Sequence, residues 1–175
     1  LVIATASLSS CGGGDPGALS IYTSVTQGTV DSVVTGFAAE YPDVDIEVFR
    51  APTGELAARI AAEQREGGLG ADVLWLTDPL SMQQYAADGA LRSWDPVAAA
   101  DLPAQYTTDS FWGTRILTMV MVVGDGVVPP ESWHDLADPR FSGKIALPDP
   151  GFAGSSLAVL GYFAATADYG MDFYQ

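Results

Sequence analysis

One cysteine, one histidine and one lysine occur in a chain of 175 residues. A lone thiol forms no internal disulfide or CxxC redox pair, and one imidazole beside it builds no Cys/His zinc cluster. Positive charge is equally sparse, with seven Lys and Arg against 22 Asp and Glu and a formal net charge of −15. Arg50, Arg59, Arg65, Arg92, Arg115, Arg140 and Lys144 are scattered singly. They form no basic stripe to neutralise a phosphate backbone, which excludes nucleic acid as a partner. No run reaches the roughly 18 apolar residues of a membrane span. Nucleotide and hydrolase signatures are also missing: Gly124-Asp125-Gly126 lacks a third glycine, and no G-x-S-x-G elbow or P-loop occurs. His134, the one histidine, lies inside a helix-start pattern, and Lys144 has no neighbour to activate it, so the chain is not read as an enzyme, with a hydrolase kept only as an alternative. What is present is an acidic composition, 48% apolar, long enough to bury a core.

The first residues stand apart. Residues 1–8 are apolar or small, too short to span a bilayer, and lead through Ser9 and Ser10 to Cys11 and three glycines. This pattern resembles the lipobox of a bacterial lipoprotein. The resemblance implies a signal segment over 1–11, lipidation of Cys11, and a flexible tether over 12–18.

From Leu19 onward short apolar runs alternate with helical periods, the mark of an α/β fold with a mainly parallel sheet. Leu19 to Tyr22 reads as a strand. Val30, Val33, Val34, Phe37 and Tyr41 then share one helix face, stopped by Pro42. The period-two run Val44 to Val48 predicts a second strand. A second helix is predicted from Gly54 to Gly67, with Leu56, Ala57, Ile60 and Ala61 as its stripe and the i,i+4 pairs Glu55–Arg59 and Arg59–Glu63 on a solvated face. Ala71 to Leu76 is apolar enough to be a central strand. Asp78 and Pro79 are an N-cap and first helical residue, and Gly89 ends that helix. The β-branched residues in Thr114 to Val123 predict a long strand, and Lys144 to Leu147 a short one. Ser132 with Asp135 has the spacing of a capping box. Gly151 to Ser156 opens an apolar helix through Leu157, Leu160 and Phe163, and a last helical pattern covers Met171 to Tyr174.

Ligands in open parallel sheets bind beyond the carboxyl ends of strands, beside helix N-termini whose free N–H groups favour anions. Small hydroxyl residues and glycines recur at those junctions: Thr23, Ser24 and Thr26; Thr53 and Gly54; Thr77 and Asp78; Gly154, Ser155 and Ser156. Any one of them is an ordinary helix cap. Recurrence at successive junctions makes them the candidate ligand-binding set.

Four stretches carry a wider likeness: Leu19 to Ser24, Phe49 to Ile60, Ala71 to Leu76, and Ser132 to Pro150. Together with the lipobox they resemble the extracellular solute-binding proteins of bacterial ABC importers, in particular the branch that includes ferric-iron-binding proteins. The resemblance implies a two-lobed, type II periplasmic-binding-protein-like α/β fold of parallel-rich sheets flanked by helices. In that frame 19–112 is the first lobe, 113–124 a crossover strand, and 125–175 a second lobe incomplete in this chain. It further implies a monomeric, lipid-anchored, extracytoplasmic protein that hands a small solute or metal ligand to an ABC permease, with no cofactor of its own. Fe(III) enters only as a transported ligand. By spacing, Thr26 and Thr77 stand where ferric-binding relatives place a histidine and an acid, and neutral hydroxyls are poor ligands for a hard cation. Iron held with an exogenous anion, an anionic solute such as a phosphonate, and a small organic cation such as thiamine or a polyamine all stay open. The same architecture also serves ligand sensors. Mass spectrometry of the exported protein tests the lipobox: a diacylglyceryl-modified Cys11 at the mature N-terminus is expected, and an intact Leu1 to Ser10 segment contradicts it.

Overall fold

A computed structural model describes residues 17–174. Cys11, its preceding segment and most of the tether lie outside the described residues. The chain divides into two compact units, one of residues 17–51 and Glu55–Trp75, the other of Pro52–Gly54 and residues 76–174.

In the first unit, strands β1 (Leu19–Thr23), β2 (Ile46–Arg50) and β3 (Val73–Trp75) form a parallel sheet in the order β2-β1-β3. Helix α1 (Gln27–Glu40) joins β1 to β2, and α2 (Thr53–Arg65) joins β2 to β3. Parallel neighbours need such crossovers, so the βαβ reading of the sequence holds. Two details differ. Leu19 pairs with Ile46 and Thr23 with Arg50, which moves β2 two residues later than its alternation predicted. Val44 is spent in a turn, its N–H donating to the Tyr41 carbonyl at 3.1 Å. The stretch expected to be central, Ala71 to Leu76, is an edge strand of three residues. Apolar character reports burial and not sheet order, and β1 is the strand that pairs on both edges.

Buried Tyr22, Val25, Val30, Ala51, Leu56 and Ile60 make this unit's core. The predicted α1 stripe buries only Val30 completely, leaving Val33 and Tyr41 about half exposed. In α2 the stripe holds at Leu56 and Ile60, both fully buried. Arg59 and Glu63 form the i,i+4 ion pair their spacing predicts, with Arg59 exposed, and Glu63 is drawn further into a network. Glu63 Oε1 accepts from Tyr22 Oη at 2.7 Å and from Arg59 Nε at 2.8 Å, and Oε2 accepts from the Gly70 N–H at 2.9 Å. The Arg59 guanidinium lies over the Tyr22 and Phe49 rings, 4.5 and 4.1 Å from their centroids. These side chains line a groove of about 680 Å³ along β1, β2 and the loop that ends at Gly70.

The second unit is built on helices α3 (Pro79–Ala87) and α4 (Gly154–Ala165), with short 3-10 turns at Val97–Ala99, Ala104–Tyr106, Trp133–Ala137, Pro139–Phe141 and Met171–Tyr174. The strands expected at Thr114 to Val123, the crossover of 113–124, and at Lys144 to Leu147 are not formed. Among the described residues this unit's ladder is one isolated antiparallel bridge, Thr107 with Trp112. β-Branched side chains favour extended backbone, but a strand also needs a partner, and Ile116, Val120 and Val122 are strongly exposed. The parallel-rich sheet expected in the second lobe is therefore absent among the described residues.

Helix α4 buries Gly154, Ser156, Val159 and Phe163; of the expected stripe Leu157, Leu160 and Phe163, only Phe163 is buried and the two leucines are half-buried. Phe163 packs against Trp133, Tyr169 and Phe173 at centroid distances of 4.6–5.3 Å. The capping motif forms at a short 3-10 turn. Asp135 accepts from the Ser132 N–H at 3.2 Å and its hydroxyl at 2.9 Å, and the Glu131 N–H adds a third bond at 2.7 Å. The Glu131 N–H and then the Ser132 hydroxyl hold the Asp135 carboxyl below its usual range.

Burial pushes the Glu63 carboxyl upward, but the combined bonds from Arg59, Gly70 and Tyr22 outweigh it and hold the group below its ordinary value. A depressed carboxylate contributes stability above its unfolded pKa, near 4.3, and loses it as pH falls through the folded value. Glu63→Gln should therefore cost about 1–3 kcal/mol at pH 7. Urea unfolding should show that gap closing as the pH falls below about 4, whereas a gap independent of pH contradicts the network.

Candidate functional site

Thr53 opens α2, Asp78 precedes α3, and Gly154 opens α4, so three helix N-termini contribute residues to the second unit. The first N–H groups of a helix lack intrahelical acceptors and carry partial positive charge. At α4 the Gly154 N–H donates to Thr53 Oγ1 at 3.2 Å. The Asp78 side chain closes the first turn of α3, Oδ1 accepting from the Ser81 N–H at 2.7 Å, as the Asp-Pro pattern predicts.

Two glycines permit this assembly. A Cβ on Gly154 would lie 2.8 Å from Thr77 Oγ1 and 3.0 Å from both Asp78 Oδ2 and Thr53 Oγ1. On Gly54 it would lie 2.1 Å from the Gly151 carbonyl oxygen, a clash with rigid backbone. Gly151, expected only in the run that opens the apolar helix, lies outside the candidate set yet takes part here. The signal for it was the Asp149-Pro150-Gly151 turn, in which the Gly151 N–H donates to Asp149 Oδ1 at 2.8 Å.

Thr53, Thr77, Asp78 and Gly154 are thus brought together, with Gly54 against Gly151, and Ser156 follows on the buried face of α4. Asp78 is 2% exposed and Ser156 fully buried, yet Asp78 Oδ2 and Ser156 Oγ have no hydrogen-bond partner. Each such atom costs about 1–3 kcal/mol relative to a bonded one. Tyr85 carries the electrostatic imprint of this corner: burial raises its phenol pKa and the Asp78 charge adds to the rise. Ser155 is half-buried at the second position of α4.

Thr23, Ser24 and Thr26 belong to the first unit. The Thr23 hydroxyl is wholly committed to the fold, donating to the Trp75 carbonyl at 2.7 Å and accepting from the Val25 N–H at 3.1 Å. Arg50 Nε secures the same turn on the Val25 carbonyl at 2.7 Å. Thr26 is exposed and meets Thr29 Oγ1 at 3.0 Å. His134 is exposed too, stacked on the Tyr169 ring at 4.2 Å. Among the described residues no group of three or more His, Cys, Asp or Glu is gathered where it could hold a metal.

A family model described as bacterial extracellular solute-binding protein matches residues 19–172. The chain belongs to that family. This solute-binding protein therefore carries an extracytoplasmic, substrate-binding role of the kind that serves ABC transport, with a small molecule as ligand and a permease as the general partner. Such proteins are generally not enzymes. Curated proteins give no match to the chain. Among the described residues no helix is long and apolar enough to cross a membrane.

The close approach at Gly54 has a direct consequence. Gly54→Ala should cost at least about 1–3 kcal/mol, since the new methyl meets backbone. Gly36→Ala, inside α1 with open space around its Cα, should instead gain about 0.5–1 kcal/mol. Equal effects of the two substitutions in urea unfolding contradict the packing described.

Proposed function

We propose that this solute-binding protein captures a small anionic solute for an ABC importer, with the corner formed by Thr53, Gly54, Thr77, Asp78, Gly154, Ser155 and Ser156 as its binding surface. The observation that carries the reading is the pair of buried, unpartnered side-chain atoms beside the α4 N-terminus. A helix N-terminus favours negative charge, and a hydroxyl without a partner is a donor in waiting. Phosphonates are one fitting class. Ferric iron accompanied by an exogenous anion, as in the iron-binding branch, is the second form of the same chemistry, because the anion would supply the charged oxygens that threonines do not. A two-lobed type II architecture, lipidation at Cys11 and anchoring at the outer face of the membrane complete the proposal; the lipobox pattern supports the last two. Service as the sensor domain of a membrane receptor is the alternative use of the same binding chemistry.

Ser156 offers a test that separates a site from a cap. As a ligand group its hydroxyl is unsatisfied in the free protein, so Ser156→Ala should leave thermal stability unchanged or raise it. The same variant should lose roughly ten- to a hundredfold in affinity for the anion that stabilises the parent protein, the worth of one hydrogen bond to a charged group. Thermal unfolding with methylphosphonate, ferric citrate, thiamine and spermidine supplies the ligand, since binding to the folded state adds RT ln(1 + [L]/Kd). A loss of about 1 kcal/mol with unchanged affinity makes Ser156 a cap. Stabilisation by spermidine or thiamine alone overturns the anion reading.

A further inference from the structure

The sheet of the first unit has two edges of unequal length. On one side β3 offers three residues; on the other β2 offers five, Ile46–Arg50, and among the described residues it pairs with β1 alone. In a parallel ladder, alternate residues of an edge strand turn both backbone groups toward the neighbour and the others turn both away. Here the register runs from Leu19 with Ile46 to Thr23 with Arg50. The Leu19 N–H donates to the Asp45 carbonyl at 2.8 Å and the Ala51 N–H to the Thr23 carbonyl at 3.1 Å, which makes the odd-numbered residues of this stretch the inward set. Ile46, Val48 and Arg50 therefore present N–H and C=O away from the sheet. Val48 is 37% exposed, with Glu47 and Arg50 exposed beside it. Proline and lysine commonly blunt such an edge, and Ile46–Arg50 contains neither.

We propose that β2 is a docking edge for a second copy of this chain, the two strands running antiparallel about a two-fold axis at Val48. Self-complementarity selects this occupant. In that register the outward-facing residues meet one another, Val48 with Val48 and Ile46 with Arg50 of the second copy, and each such pair can exchange both of its N–H···O bonds. No like charges stand directly opposite. Glu47 falls opposite Phe49 of the second copy, in the closer, non-hydrogen-bonded kind of pair. Over the Phe49 ring lies the Arg59 guanidinium, 4.1 Å from the centroid on a side chain that is 41% exposed, so Glu47 of each copy is brought to Arg59 of the other. The groove along β2 has Glu47, Phe49 and Arg59 among its lining residues, which leaves room there for the incoming side chains. A net charge of −15 on each copy opposes association. The edge is also short, so the dimer is weak and forms only at high concentration. The monomer implied by the family resemblance is then the dilute state.

Sedimentation equilibrium of the full chain tests this, at up to about 1 mM protein and about 0.15 M salt, where charges are screened beyond about 8 Å. Monomer should pass to dimer and stop there, because a two-fold contact closes on itself. Amide hydrogen exchange followed over the same concentrations should slow at Ile46, Val48 and Arg50 as the dimer forms. Val48→Lys sets two ammonium groups directly opposite one another and should weaken association at least tenfold. Glu47→Arg, which faces Arg59 of the second copy with a like charge, should do the same and serves if the first variant fails to fold. A parent protein that stays monomeric throughout overturns the inference, and so does growth past the dimer. A dimer whose Ile46 and Val48 amides exchange as they do in the monomer also overturns it. So does a dimer that a folded Val48→Lys or Glu47→Arg variant forms with unchanged affinity, since association then uses another surface.

Discussion

Gly154 has no side chain, and the buried polar corner of the second unit depends on that. Three oxygens, on Thr53, Thr77 and Asp78, occupy the space a Cβ would need. A methyl there would push the start of α4 away from the Thr53 hydroxyl that its first N–H now reaches. Gly54 imposes the same requirement against the Gly151 carbonyl. Apolar packing alone does not explain why helix ends lie so near one another, because each brings unsatisfied N–H groups of like partial charge. The buried carboxylate and hydroxyls supply the compensating oxygens. Two of those atoms are left over, and they are what turns a packing arrangement into a candidate binding surface.

The first unit is arranged on a different principle. Its central strand is held by side chains bonded within the unit: Thr23 fastens β1 to β3 and orders the next turn, while Tyr22, Arg59 and Glu63 tie the sheet to α2. Polar residues in one unit are satisfied within the protein, and in the other two remain open among buried neighbours. Candidate binding groups are distinguished from structural ones by that difference in partners, not by residue type.

This distinction also marks what was legible in the sequence. The βαβ pattern from Leu19 to Trp75, the Asp78 cap and the α4 start followed from local rules, in which periodicity and capping chemistry act over a few residues. Sheet order was not local, so the apolar run before Leu76 was placed at the centre of a sheet whose centre is β1. The extended runs at Thr114 to Val123 and Lys144 to Leu147 have strand composition, but strand formation depends on a distant partner that no local pattern encodes. Helical spacing reveals the Arg59 partner of Glu63, but not its bond to Tyr22, 41 residues away, or to the Gly70 N–H beyond the end of α2. Among the candidate site residues, Thr23 and Ser156 looked alike as junction hydroxyls, and only their bonding separates them.

The central claim is that the α4 N-terminus with its buried neighbours takes a small anion. Backbone amide NMR on the full chain, titrated with inorganic phosphate, tests it most directly, because the N–H groups in question report for themselves. The account predicts saturable shifts concentrated at Gly154, Ser155 and Ser156, with the Ser81 amide responding through Asp78. Shifts confined to residues around the scattered arginines, with those amides unmoved at saturation, would contradict it.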